Sequence, residues 1–262
     1  LFRSTDAGLV VFPRVETTLE DGPSRGASDR RVTTGIEELD RLTHGGWPEA
    51  SAALVFGPTG AGKTTLGLHF VGQATPDEPA LILGFYETPA RLKAKARAIG
   101  LDLQGLCASG ALEIIWRPPS ENLVDELAWR VVERARATRA KRVFIDGVVA
   151  LRDNLIFPER LPYILNALNS YLRELGASAL YTSEIREMHS PESLPTDEVS
   201  LIVDNVLLLT YLRRERALRR SLSIIKLRDS DFDARAREFH VTERGIAFGP
   251  DPELGDAGAE VG

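Results

Sequence analysis

Residues 57–65 read GPTGAGKTT and satisfy the spacing G-x-x-x-x-G-K-T. They follow the apolar run AALVF, so the motif falls where a buried strand gives way to a helix. Glycines there let backbone N–H groups turn inward around a phosphate with no side chain in the way. A helix beginning at the end of the loop adds the positive end of its dipole. Lys63 brings a cation to the β and γ oxygens of a nucleotide, and the Thr64 hydroxyl is placed to ligate Mg²⁺. Thr59, Gly60, Ala61, Gly62 and Thr65 complete the candidate phosphate-binding set. A Gly-rich turn without a ligand is the plainer alternative, and the agreement of motif with context argues against it.

Two acids could complete the chemistry. Residues 143–146 read VFID, an apolar run ending in Asp146 at the carboxyl edge of a buried strand. An acid there can hold the water shell of Mg²⁺, whereas the plain alternative is a helix cap. Glu87, in LILGFYETP, follows the next buried run and is the candidate to align or deprotonate an attacking water. Its plain alternative is an N-cap partner for a helix starting near Pro89.

These side chains need a scaffold. Short apolar, non-alternating runs predict strands over 52–56, 80–85, 112–116, 142–145 and 179–183, buried on both faces. Helical stretches lie between them at 63–73, 89–99, 122–139 and 160–175. In the third, Trp129, Val132 and Ala135 recur at helical spacing, which makes Trp129 a packing residue. This alternation predicts an α/β fold with a mainly parallel central sheet flanked by crossover helices. Four later runs, 206–212, 221–227, 236–241 and 246–248, predict an antiparallel C-terminal extension of the same sheet.

The 262 residues are 43% hydrophobic and 27% charged with net charge −6, which excludes a mainly disordered chain and disfavours bulk coating of nucleic acid. A single cysteine, Cys107, excludes an internal disulfide and fits the reducing cytoplasm. The most apolar stretch, 199–212, is interrupted by Asp204 and Asn205 and predicts no membrane span. His44, His69, His189 and His240 have no metal-ligand spacing. The run LRRERALRR over 212–220 reads as a solvated hairpin tip, with a DNA or partner contact as the alternative. The polar loop 187–197 reads as surface.

The two ends of the chain echo each other. Residues 2–13 read FRSTDAGLVVFP and residues 239–250 read FHVTERGIAFGP, with Phe, Thr, Gly and Pro coinciding at one constant offset. Residues 1–13 are therefore expected to be trailing strands of a preceding homologous domain, with an unrelated β-arm as the alternative. Residues 14–30 read as a linker, 31–250 as the main domain and 251–262 as a loose tail. The chain starts at Leu1 and its methionine is Met188, which suggests a piece of a longer protein.

In this order along the chain, TGIEELDRLTHGGWP, GPTGAGKTT, DEPALILGFYETP, RVFID, YTSE (181–184), VDNVLLL (203–209) and IIKLRDS (224–230) resemble the KaiC-like branch of the RecA-type P-loop ATPases, the family of the circadian clock protein KaiC. The resemblance spans about residues 31–250. It implies hexameric rings with ATP held between subunits, often built from two tandem domains. Gly60, Gly62, Lys63, Thr64 and Thr65 would hold the triphosphate. Lys226 and Arg228 would reach the γ-phosphate of the neighbouring subunit's ATP. Leu227, Ser230, Thr242 and Glu243 would lie near the nucleoside across that interface. Lys226 and Arg228 alternate along a strand and so share a face, as such reach requires. On the residues alone they read as a solvated strand edge.

Three positions depart from the family pattern. Tyr86 stands where the family commonly has the first of two glutamates, and a phenol with a pKa near 10 is a poor base at neutral pH, so hydrolysis is slow or Glu87 takes the role. Ser200 is followed by Leu201, which removes half of the pair that the clock protein's kinase domain phosphorylates. KLRGT becomes KLRDS, and Asp229 adds a negative charge near the expected phosphate. The expected function is a Mg²⁺-dependent, ring-forming ATPase, with regulatory protein partners and no membrane. The alternatives are a nucleotide-gated scaffold with little hydrolysis and a RecA-like accessory acting on DNA.

Overall fold

The computed structural model describes residues 2–6, 8–18, 29–118, 123–185, 198–214, 217–228, 231–233 and 235–249. Met188, His189, Asp229, Ser230, the loop 187–197 and the tail 251–262 therefore lie outside the described residues.

A two-stranded antiparallel hairpin, β1 (Phe2–Thr5) and β2 (Gly8–Val11), comes first. A second small pair, β3 (Arg31–Val32) and β4 (Trp47–Pro48), brackets α1 (Glu37–Leu42). The alternating part follows: β5 (Ala52–Gly57), α2 (Lys63–Gly72), β6 (Ala80–Gly84), α3 (Pro89–Arg97), α4 (Leu103–Ala108), β7 (Leu112–Trp116), α5 (Val124–Thr138), β8 (Arg142–Asp146), α6 (Val148–Asp153), α7 (Leu161–Glu174) and β9 (Ser178–Glu184). It closes with α8 (Glu198–Ile202), β10 (Asn205–Arg214), β11 (Ala217–Leu227), β12 (Arg237–Thr242) and β13 (Gly245–Phe248).

Nine of these strands form one sheet in the order β13-β12-β11-β10-β5-β9-β8-β6-β7. From β7 to β10 all neighbours run parallel. The late extension differs from expectation in one respect: β10 is parallel to β5, and antiparallel pairing starts only with β11. Helix α8 carries the chain back to the sheet's starting edge, so β10 enters as another parallel crossover strand.

Alternate side chains explain why the strand runs are apolar throughout. Leu54, Phe56, Val143, Ile145 and Tyr181 face one layer with Leu127, Val131 and Leu165 of α5 and α7. Ala53, Val55, Ile82, Phe144 and Leu180 face the other, against Leu66 and Phe70 of α2. Gly67 lets α2 lie close on β8, because a Cβ there would come within 2.1 Å of Phe144 Cζ. That contact sets the height of the phosphate-loop helix over the sheet.

The expected linker 14–30 does not begin loose. Residues 15–17 form a single 3₁₀ turn with Val15 fully buried. Trp129 packs on Tyr171 and donates its Nε1 hydrogen to Pro13 O at 3.0 Å. An Arg160 guanidinium joins Glu16 at 2.8 Å and the fully buried Asp125 at 2.9 Å. Apolar burial plus a buried ion network hold this strap to α5 and α7, which the polar composition of the segment concealed.

Candidate active site

The carboxyl ends of β5, β6, β8 and β9 open onto one cleft of about 610 Å³. Its floor is the loop between β5 and α2. Gly60 (φ +77°) and Gly62 (φ +110°) adopt left-handed conformations that a side chain would strain. Ala61 is fully buried in the core beneath the loop and anchors it from below. Thr64 and Thr65 lie in the first turn of α2, whose N-terminal dipole points into the cleft.

Lys63 Nζ donates to Gly57 O at 2.7 Å and Pro58 O at 2.8 Å, so it is folded against its own loop. Burial pulls its pKa down, and the carboxylates of Glu184 and Asp146 oppose that shift. Thr64 Oγ1 donates to Asp146 Oδ2 at 2.9 Å, and Thr182 Oγ1 donates to Asp146 Oδ1 at 2.6 Å. Burial pushes the Asp146 carboxyl up, while the two hydroxyl bonds pull it back. One carboxylate and the Thr64 hydroxyl offer hard oxygen donors, the kind that Mg²⁺ takes, and so the residues present fit that cation.

Glu87 also faces the cleft, ion-paired with Lys95 of α3. Thr88, not Glu87, caps α3 by accepting from Arg91 N at 3.4 Å. Tyr86 is 59% exposed, and its ring lies against Gly147, where a Cβ would approach Tyr86 Cε2 to 3.1 Å. The structure thus gathers Thr59, Gly60, Gly62, Lys63, Thr64, Thr65, Glu87 and Asp146 around one space.

Lys226, Leu227 and Arg228 lie elsewhere. Leu227 pairs with Asn205, which pairs with Ala53 at the start of β5, so the KLR stretch sits at the opposite edge from the loop. Lys226 Nζ donates to Val203 O at 2.7 Å, and Arg228 pairs with Asp204 at 3.3 Å. Leu227 is buried in the core. Thr242 and Glu243 sit in the β12–β13 turn on the loop's side of the sheet, next to Val241, which lines this chain's own cleft. Thr242 Oγ1 is engaged within that turn, donating to Gly245 O at 3.0 Å.

Four of the cleft's polar side chains escaped the sequence reading: Lys95, Thr182, Glu184 and Arg220. Thr182 and Glu184 lay within the YTSE run, at the end of the strand beside β5. Arg220 lay in the arginine run read as a hairpin tip. Its position opposite Tyr211 puts both on the face that overlooks the loop. Arg220 Nε donates to Gly60 O at 3.1 Å, and Tyr211 OH donates to Thr59 O at 3.4 Å. Cys107 is half-buried away from the cleft, and burial raises its thiol pKa. Among the described residues no group of three or more His, Cys, Asp or Glu could hold a metal, and no helix is long and apolar enough to cross a membrane.

A mainly parallel sheet, a glycine loop opening a helix and a hydroxyl–carboxylate pair beside it define a RecA-type P-loop nucleotide-binding fold. A family model described as "ATPase: KaiC" matches residues 32–253, and the chain belongs to that family. It is 28% identical over 243 residues to the circadian clock protein KaiC3 of Synechocystis sp., covering 92% of this chain and 47% of that protein. It is 26% identical over 257 residues to the circadian clock oscillator protein KaiC of Prochlorococcus marinus subsp. pastoris, covering 98% and 48%. With the KaiC of Parathermosynechococcus lividus the identity is 26% over 246 residues, covering 94% and 44%. The chain therefore spans about half the length of these relatives.

Proposed function

We propose that this chain is a Mg²⁺-dependent ATPase domain that works in a homo-oligomeric ring, with ATP held between subunits. The observation that carries the reading is the division of charged groups between two edges of the sheet. Lys63, Thr64, Asp146 and Glu87 converge on the cleft, while Lys226 and Arg228 lie at the far edge, held there by Val203 O and Asp204. A cation needed at a γ-phosphate but held far from its own loop can serve a neighbour's.

In this scheme Lys63 leaves the carbonyls of Gly57 and Pro58 for the phosphate oxygens. Thr64 and Asp146 would hold Mg²⁺, which neutralises charge on the β and γ oxygens when bound. Glu87 orients the attacking water, and Lys95 positions Glu87 through their ion pair. Arg220 and Val241 wall the cleft beside the loop and bound the space for the nucleoside. The test is size measurement with and without ATP and Mg²⁺, read beside phosphate release over a dilution series. Turnover per subunit should fall as the ring dissociates, and concentration-independent turnover by a monomer overturns the shared site.

A second reading, a nucleotide-gated scaffold with little hydrolysis, is favoured by Tyr86 at the place of a glutamate. Glu87→Gln separates the two: negligible turnover that the substitution leaves unchanged supports the scaffold.

The tandem arrangement belongs to the same proposal. Hairpin β1–β2 pairs Phe2 with Val11 and Thr5 with Gly8, and β12–β13 pairs Phe239 with Phe248 and Thr242 with Gly245. The two hairpins match position for position in the register of the sequence echo. We take the first as the closing hairpin of a preceding homologous domain. The clock proteins that the chain resembles suggest a regulatory role in the cytoplasm with protein partners, and the hexamer is the ring size the family implies.

A further inference from the structure

Thr59 stands at the tip of the phosphate loop, and its side chain is exposed rather than turned inward. Its hydroxyl donates to Glu184 Oε1 at the end of β9. Its carbonyl accepts from Tyr211 OH at 3.4 Å, and the next carbonyl, Gly60 O, accepts from Arg220 Nε at 3.1 Å. Side chain and carbonyl of one residue are thus held by different strands on either side of the loop. Glu184 pairs in register with Gly57, so β9 places its carboxylate beside the strand from which the loop springs.

We propose that Glu184 is a positioning residue for nucleotide binding, acting through Thr59 to hold the loop open for phosphate. This rests on the nucleotide-binding reading above and adds to it a residue outside the phosphate-loop motif. A loop with two left-handed glycines has wide conformational freedom, and ordering it costs conformational entropy. If that ordering is left to the ligand, affinity falls. The Glu184 bond fixes the side chain of Thr59, and the Tyr211 bond fixes the adjoining peptide plane. The loop backbone is therefore held in place from both sides before any phosphate arrives. The Thr59 hydroxyl serves the scaffold in this arrangement, and phosphate contact falls to the backbone, Lys63 and Thr64.

The experiment measures binding of a fluorescent ATP analogue with Mg²⁺, together with KM and kcat, for Glu184→Ala, Glu184→Gln, Thr59→Val and the Glu184→Ala/Thr59→Val pair. Glu184→Ala and Thr59→Val should each weaken binding about tenfold, since a hydrogen bond to a charged group is of that order. The double variant should be no weaker than either single one. Glutamine keeps an acceptor but loses the charge, so Glu184→Gln should weaken binding clearly less than Glu184→Ala. KM should rise while kcat at saturation holds. Lys63→Ala serves as the reference for lost binding. Parent-like affinity in Glu184→Ala and Thr59→Val, with Lys63→Ala inactive in binding, overturns the role of Glu184 and leaves the nucleotide reading standing. Additive losses, or a fall in kcat with KM unchanged, also overturn it. A parent protein that binds no nucleotide overturns both.

Discussion

At the scale of single residues, the proposed scheme assigns binding and turnover to different sides of the cleft. Lys63 and Thr64 stand at the loop, whereas Glu87 reaches in from the other side on its ion pair with Lys95. Glu87→Gln should lower turnover by about 10²–10⁴-fold with nucleotide affinity near that of the parent, as for removal of a water-orienting carboxylate. Single-turnover phosphate release beside equilibrium binding checks the split. Lys95→Met should reproduce part of the loss, because it frees Glu87 without deleting it. Lys63, Thr64 and Asp146 were legible in the sequence because each sits in a short motif with local geometry. Thr182 and Glu184 were not, because only the pairing of β9 with β5 and β8 brings them to the same cleft.

At the scale of elements, α2 is fixed at two points. Gly67 lets it touch β8, and His69 ties it to β13 by accepting from Ile246 N at Nε2, 3.2 Å away. A Cβ at Gly67 meets the Phe144 ring, so Gly67→Ala should destabilise the fold by about 1–3 kcal/mol despite the better helix propensity of alanine. Urea unfolding measures this, and weaker nucleotide binding should accompany it as the helix lifts. Burial holds the His69 imidazole below its ordinary pKa. The unfolded chain therefore takes up a proton near pH 6.5 that the folded chain refuses. The contribution of His69 is complete above that pH and is lost as pH falls toward the lower folded value. A thermal melt series should show stability falling below about pH 6.5, less steeply in His69→Gln. Element positions were legible from apolar runs and helical spacing. The parallel pairing of β10 was not, since an apolar strand of this kind can join either way and the preceding crossover decides.

At the scale of the whole molecule, the strap and the far edge of the sheet matter most. Val15, Glu16, Asp125 and Arg160 clip the entering chain to the body of the fold. Arg160→Leu leaves the fully enclosed Asp125 without its guanidinium and should cost about 3–5 kcal/mol. Urea unfolding measures the loss, and protease cleavage within residues 13–18 should appear before the rest of the chain opens. Lys226→Ala and Arg228→Ala should leave nucleotide binding by the isolated subunit intact while turnover in the assembled ring falls. Composition read this entering segment as linker, because its polar residues give no sign that Asp125 and Arg160, far along the chain, complete an ion network with Glu16.

The amino-acid sequence by itself determined the glycine loop with Lys63 and Thr64, the acid that ends β8 and the α/β alternation. Each depends on contacts within a few residues or on the period of burial along one segment. Tertiary structure alone decided which edge of the sheet carries Lys226 and Arg228, which carboxylate holds Thr59, and which face of the arginine-rich strand overlooks the loop. Those outcomes follow from strand order and register, where a neighbour in space lies more than a hundred residues away, as Glu184 does from Thr59.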